Sequence, residues 1–277
     1  MDKLLQRNIR IINVRNIVIS MILAFILCTK DTYVIIDNIN YRLSKSDNLF
    51  QIFSNREFIL VAIPIFILLI YYSLFYTDDN YVELIRFGSR DKYYIEKLKQ
   101  SYKFILLFFS IIFLNIFLSV QIKGSNEIGF SKKIIEILSE DSYRYENLIF
   151  MNKSIVNYNP IFMSILYIII LILFYMNMSN ILSIIDTMTQ NKIIVIVVAF
   201  SIYIFILFNI NFGNENSIIG YLLTNHININ SDGFMIFNNK YLNSISSVIY
   251  LTLINLSVTY LGVRISKTKE IFCYKKF

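Results

Sequence analysis

Six apolar runs, at about 11–28, 58–76, 104–120, 161–178, 193–208 and 245–263, constrain this chain more than any other feature. Each is roughly 16 to 19 residues long, near the ~17–25 that a helix needs to cross a bilayer. In hydrocarbon, backbone N–H and C=O groups must pair within the segment, which a helix achieves and a lone strand does not. From Ile17 to Cys28, and through the other five runs, there is no Asp, Glu, Lys, Arg or His. The expected fold is therefore all-α: a polytopic membrane protein with six transmembrane helices in one domain filling 1–277. No segment between spans exceeds about 40 residues, too short for most independent domains. Pro64 in the second run predicts a kink.

The first run is not read as a cleaved leader. Lys30, Asp31 and Thr32 follow it where a small-residue cleavage site would stand. Ahead of it, Leu4, Leu5, Ile9 and Ile12 predict the apolar side of a short basic surface helix.

Lysine and arginine set the orientation. With the N-terminus inside, the inner segments are 1–15, 77–103, 179–192 and 264–277, and they hold 16 of the 26 basic residues. The outer segments 29–57, 121–160 and 209–244 are longer together and hold fewer. Basic residues concentrate on the cytoplasmic side of short loops, so both termini are expected there. The net charge of +7 is then a topology signal. The expected partner is the lipid bilayer, and no nucleic acid is expected. On this topology Cys28 and Cys273 fall on opposite sides and cannot pair.

The outer segments carry local patterns. Thr32 to Leu43 alternates weakly around Asp37–Asn38, a turn-forming pair. Within 129–150, Ile134, Ile135 and Leu138 predict one apolar helix side.

Between the second and third spans lies a charged stretch, Thr77 to Lys103, with six basic and five acidic residues. It reads as two short helices. Asn80 with Glu83 suits a first-turn cap, and Val82, Leu84, Ile85 and Phe87 give that helix an apolar side. Gly88 suits its end, and Ser89 the cap of the next. The second helix places Tyr94, Ile95, Leu98, Tyr102 and Ile105 on one face. Lys92, Lys97, Lys99 and Lys103 fall mainly on the others, with Lys97 and Lys99 expected to face solvent or headgroups. This helix is expected to lie along the membrane surface and then turn into the third span.

The chain carries no Gly-x-x-x-x-Gly-Lys-Ser/Thr loop for nucleotide phosphates and no His-Glu-x-x-His metal pattern. No catalytic residue and no metal ligand is assigned. His226, the single histidine, is read as a surface or turn residue. With no ionisable residue in the spans, work drawn from intramembrane protonation is not expected. Energy for uphill movement would have to enter elsewhere, and loop 77–103 is the obvious entrance. The spans do hold neutral polar residues. Thr252, Asn255 and Thr259 share one side of the sixth, at i, i+3 and i+7. Ser110 and Asn115 mark the third, Asn177 the fourth and Ser201 the fifth. They serve either as interhelical hydrogen bonds or as the weakly polar lining of a passage, for which Thr252, Asn255, Thr259 and Asn115 are the candidates.

Six spans, inner termini, a basic leading helix and a charged two-helix loop after the second span resemble the permease subunits of ABC-2-type exporters. More narrowly, Glu83–Leu84–Ile85–Arg86–Phe87–Gly88–Ser89–Arg90 with Tyr93–Tyr94 resembles the loop of small permeases in bacteriocin or antimicrobial-peptide export and immunity systems of low-GC Gram-positive bacteria. That resemblance implies a separate cytoplasmic ABC ATPase docking through Tyr81, Ile85, Arg86, Phe87, Gly88 and Arg90. It also implies a second permease, identical or paralogous. ATP would act through the partner ATPase, with no cofactor bound directly and no enzyme activity in this chain. The competing reading is a membrane-embedded peptide immunity or sensor protein that transports nothing. A membrane enzyme is the weakest reading, because the spans offer no acid, base, nucleophile or metal set.

Overall fold

Three long helices of this chain start at an asparagine. In the computed structural model, Asn159 Oδ1 accepts the backbone N–H of Ile161 and Phe162 at 3.0 and 3.3 Å. Asn191 does the same for Ile193 at 2.9 Å, and Asn239 for Tyr241 at 2.9 Å. Each supplies a partner to N–H groups that the helix itself leaves unpaired. Pro160, directly after Asn159, fits the first helical position, where no N–H is required.

The structure describes residues 33–36, 39–54, 89–123, 129–139, 157–189, 191–212, 226 and 239–268. In chain order the elements are β1 (Tyr33–Ile36), β2 (Ile39–Arg42), α1 (Lys45–Ser54), α2 (Arg90–Lys123), α3 (Lys132–Ser139), α4 (Pro160–Thr189), α5 (Lys192–Phe212) and α6 (Lys240–Thr268). The spans expected at 104–120, 161–178, 193–208 and 245–263 fall inside α2, α4, α5 and α6. Those at 11–28 and 58–76 lie outside the described residues. Helices α2, α4 and α6 are long and apolar enough to cross a membrane.

The described residues are almost all helical, as the all-α expectation has it, with one short strand pair beside the helices. β1 and β2 form an antiparallel pair with Tyr33 opposite Arg42 and Ile36 opposite Ile39. This strand pair falls where Thr32 to Leu43 alternates weakly, because period-two patterning suits a strand; the expected turn at Asp37–Asn38 lies outside the described residues.

One correction concerns α2. The amphipathic segment and the third span are one helix of 34 residues, about 51 Å long at 1.5 Å per residue. It does not turn at the membrane surface. Between Arg90 and Lys123 the sequence holds no Gly or Pro, so nothing local interrupts the hydrogen-bond ladder. Ser89 takes the N-cap position, its carbonyl accepting the Tyr93 N–H at 3.2 Å, but its buried hydroxyl makes no capping bond.

Helices α2, α4 and α6 pack together. Contacts between Lys97 and Asp186 and between Ser101 and Ser179 join the start of α2 to the end of α4, so these two run antiparallel. Bonds from Asn159 to Tyr241 and from Asn180 to Thr259 show α4 and α6 parallel. The core runs along the bundle through Phe104, Ile105, Phe108, Phe109, Ile112 and Ile116 of α2 and Met163, Tyr167, Phe174, Tyr175 and Met178 of α4. Phe109 meets Tyr175 at 4.8 Å. Val195 and Ala199 of α5 join it.

The outer surfaces are apolar. Leu114 and Phe117 of α2, Ile161 and Ile165 of α4, and Ile249, Leu253, Leu256 and Tyr260 of α6 are exposed. Water would penalise so much exposed apolar surface, whereas acyl chains match it.

A small cap sits at the far end of α2. Ser44 and Asp47 form a reciprocal box at the start of α1: Ser44 N–H donates to Asp47 Oδ2 at 2.9 Å, and Asp47 N–H to Ser44 Oγ at 3.0 Å. The same carboxylate accepts the Ser131 N–H ahead of α3 at 3.3 Å. Ser44 Oγ donates to the Gly129 carbonyl at 2.8 Å, where Gly129 takes a φ of 83°. Leu43, Phe50 and Ile134 close over the core. Ile134 is buried while Ile135 is exposed, so the apolar side predicted for this helix is only partly turned inward.

Candidate polar seam and loop 81–90

The charged half of α2 is built as its periodicity predicts. Tyr94, Leu98 and Ile105 are buried, and Ile95 and Tyr102 are partly buried beside them. Directly above and below this apolar row, α2 carries polar residues that meet polar residues of α4 and α6.

Asn177 of α4 donates through Nδ2 to the Leu251 carbonyl of α6 at 3.0 Å. Asn180 donates to the Asn255 carbonyl at 3.4 Å and to Thr259 Oγ1 at 2.9 Å. The Tyr102 hydroxyl of α2 donates to Asn255 Oδ1 at 3.1 Å. Ser101 and Ser179 pair through their hydroxyls. Nearer the Arg90 end, Lys97 Nζ meets Asp186 Oδ2 at 3.1 Å, with only 11% and 16% of their side chains exposed. Lys267 of α6 reaches Asp91 of α2 at 3.6 Å on the surface. Residues from three helices thus form a polar seam inside an otherwise apolar bundle.

The seam follows a row on α4. Asn177, Asn180, Ser183 and Asp186 recur every third residue. Each step of three turns the side chain by about 60° around the helix. The row therefore winds from the side facing α6 to the side facing α2. Ser183 falls in the sector between, at the junction of the three helices.

The four candidate lining residues divide. Asn255 and Thr259 lie in the seam. Thr252 is exposed and its hydroxyl donates to Val248 O of its own helix at 2.7 Å. Asn115 donates to Ile111 O, also on its own helix, at 2.9 Å. Asn177 joins the seam, while Ser110 and Ser201 are exposed and Ser201 bonds back to Val197 O. Of the residues expected to dock an ATPase, Arg90 is the first residue of α2. Tyr81, Ile85, Arg86, Phe87 and Gly88 lie outside the described residues.

Two side chains depart from expectation. Lys97 does not face solvent; it pairs inside the bundle, because Asp186 approaches from a helix distant in sequence. Lys99 does face outward and bonds Glu96 at 2.6 Å. His226 is not a surface residue. It is buried, with Nδ1 at 2.8 Å from Ser247 Oγ and its ring 5.2 Å from that of Tyr250. Its one-residue context in a polar loop gave no sign of a helix for it to lean on.

Ser101, Tyr102, Ser179, Asn180, Ser183 and the Lys97–Asp186 pair were not among the candidates. The readable signal was the three-residue recurrence on α4, which continues past the point where the apolar run ends. Among the described residues, no group of three or more His, Cys, Asp or Glu is placed to hold a metal. Compared with protein-family models, curated proteins and solved structures, the chain matches none.

Proposed function

We propose that this chain is the membrane-spanning permease subunit of an ATP-driven exporter of the ABC-2 type. It would sit in a bacterial cell membrane as a multi-pass protein with six spans and both ends in the cytoplasm. The cargo is a peptide or other amphipathic molecule, in the export of, or immunity to, an antimicrobial peptide or bacteriocin. A separate cytoplasmic ATPase binds and hydrolyses ATP, and a second permease, identical or paralogous, completes the translocation unit.

The observation that supports this reading is the continuity of α2. Arg90 ends the motif-bearing loop and also begins a helix that runs unbroken to Ser101 and Tyr102 in the seam. A helix without a Gly or Pro break moves as a rod. A partner that shifts Arg90 would displace the seam through α2, which holds no Gly or Pro between Arg90 and Lys123. In this reading Arg86 and Arg90 pair with carboxylates of the ATPase, Ile85 and Phe87 fill apolar pockets, and Gly88 permits the turn into α2.

The second reading, a peptide immunity or sensor protein without transport, is favoured by the way Asn177 bonds the Leu251 carbonyl and Asn180 bonds Asn255 and Thr259, tying α4 to α6 rather than lining an opening. Variants separate the two. Phe87→Ala and Gly88→Leu should uncouple ATP hydrolysis from transport while membrane abundance is kept. Unchanged transport and ATPase retention in both would reduce loop 81–90 to a connector.

A further inference from the structure

The seam holds polar atoms that no group among the described residues bonds. Asn177 Oδ1, Asn180 Oδ1, Ser183 Oγ and Asn255 Nδ2 are buried without a hydrogen-bond partner. The first three belong to residues that are at most 1% exposed. All four lie on, or directly against, the row that winds along α4. Buried polar groups are nearly always paired, and a cluster left unpaired calls for a physical account.

The chemistry of the cluster identifies what would satisfy it. Two atoms are amide oxygens that only accept. One is an amide nitrogen that only donates. One is a hydroxyl that does both. A cation would suit the oxygens and be repelled by the Asn255 amide. An anion would suit Asn255 and be repelled by both amide oxygens. Asp186, the carboxylate at the end of the row, is already met by Lys97. Water, which donates and accepts, suits all four.

The route for water is equally defined. The row runs toward the Arg90 end of the bundle, where α2 and α4 are held together by Lys97 and Asp186. Beyond this pair, toward Arg90, lies the surface contact of Asp91 with Lys267. On the other side the seam abuts the packed rings of Phe104, Phe108 and Phe109.

We propose that the junction of α2, α4 and α6 is a water-binding seam with two states, and that the Lys97–Asp186 pair is the latch that keeps it closed. With the pair made, the helices pack and no protein group among the described residues bonds the four polar atoms. With the pair broken, α2 and α4 part at the Arg90 end, and water enters and bonds the row. The unsatisfied atoms favour opening and the ion pair opposes it, so the balance is adjustable from outside the bundle. This holds for a transporter and for a sensor alike.

The test uses the full chain in open membrane fragments, with Cys28 and Cys273 replaced by serine. Ser183→Cys is the probe, and the readout is its rate of modification by a small water-soluble thiosulfonate, which reacts with the hydrated thiolate. The rate should rise about tenfold or more in Lys97→Gln. It should return to the starting value in the swapped pair, Lys97→Asp with Asp186→Lys. Asp186→Asn gives the same readout if Lys97→Gln does not accumulate. Leu253→Cys, on the exposed apolar face, should stay unreactive throughout, which separates hydration from exposure alone. Equal Ser183→Cys rates in all backgrounds, rapid reaction with the native pair, or a swapped pair as reactive as the single variant would each overturn the proposal.

Discussion

Lys97 Nζ lies 3.1 Å from Asp186 Oδ2, joining two residues 89 apart in the sequence across the α2–α4 interface. Both side chains are mostly withdrawn from solvent. Removing one partner takes the opposite charge away from the other in surroundings that solvate it poorly, and the cost exceeds what the intact pair contributes. Lys97→Gln should lower bundle stability by about 2 kcal/mol, between the values for exposed and fully buried pairs. The swapped pair should recover most of that loss. Thermal melting of purified protein in detergent measures both.

Two seam residues should respond in opposite directions. Asn177 donates to Leu251 O, so Asn177→Leu removes an interhelical bond and should cost about 1 kcal/mol. Ser183 Oγ has no partner. Ser183→Ala removes an unsatisfied polar group and should leave the melting point unchanged or raise it. A clear destabilisation by Ser183→Ala would show that its hydroxyl is satisfied in the closed bundle.

The buried Tyr94 ring lies directly against Gly262 of α6. A side chain at 262 would occupy the space of that ring. Gly262→Val should therefore separate α2 from α6 and lower the melting point, by about 1–3 kcal/mol as for other overpacked sites. Tyr94→Ala is itself destabilising but should suppress the added effect of Gly262→Val. Additive losses in the double variant would deny the contact. Tyr94→Phe should be nearly neutral, because the hydroxyl makes no hydrogen bond.

At the other end of the bundle, Asp47 holds the starts of α1 and α3 through Ser44 and Ser131. Asp47→Ala should cost about 1–2 kcal/mol locally, as for other lost caps. Hydrogen exchange should quicken at residues 44–50 and 131–136, with residues 101–116 unchanged. Uniform quickening would mean that the cap and the core open together.

The periodicity of α2 made its buried face legible. Tyr94, Leu98 and Ile105 recur at helical spacing, and the side they mark is the side that packs. The continuity of α2 was legible too, in the absence of Gly and Pro from Arg90 to Lys123. The change from charged to apolar composition obscured it. Composition reports the surroundings of a helix, whereas backbone breakers report its ends. The Lys97–Asp186 pair could not be read from either residue, since it depends on how two distant helices meet. Asn180, Ser183 and Asp186 lie beyond the end of the apolar run, so hydropathy does not mark them, although α4 continues through them. Asn115 and Thr252 are polar residues whose own helix satisfies them, and spacing alone does not separate these from residues that face a neighbour.

The topology predicts opposite outcomes at two positions. In intact cells, an impermeant thiol reagent should leave Cys273 unlabelled and should label a cysteine placed at Asn126. The reverse pattern would invert the orientation and move loop 77–103 away from any cytoplasmic partner.

The most direct measurement of the central claim is ATP hydrolysis by the chain as it leaves its native membrane. The chain carries no phosphate-binding loop, so alone it should hydrolyse nothing. Purified gently through an affinity tag, it should bring an ATP-hydrolysing subunit in fixed proportion, and Phe87→Ala should release that subunit while the chain stays in the membrane. Recovery of the intact chain without any ATPase activity, or with activity that Phe87→Ala does not diminish, would contradict the assignment of this chain as an ATP-driven permease subunit coupled through loop 81–90.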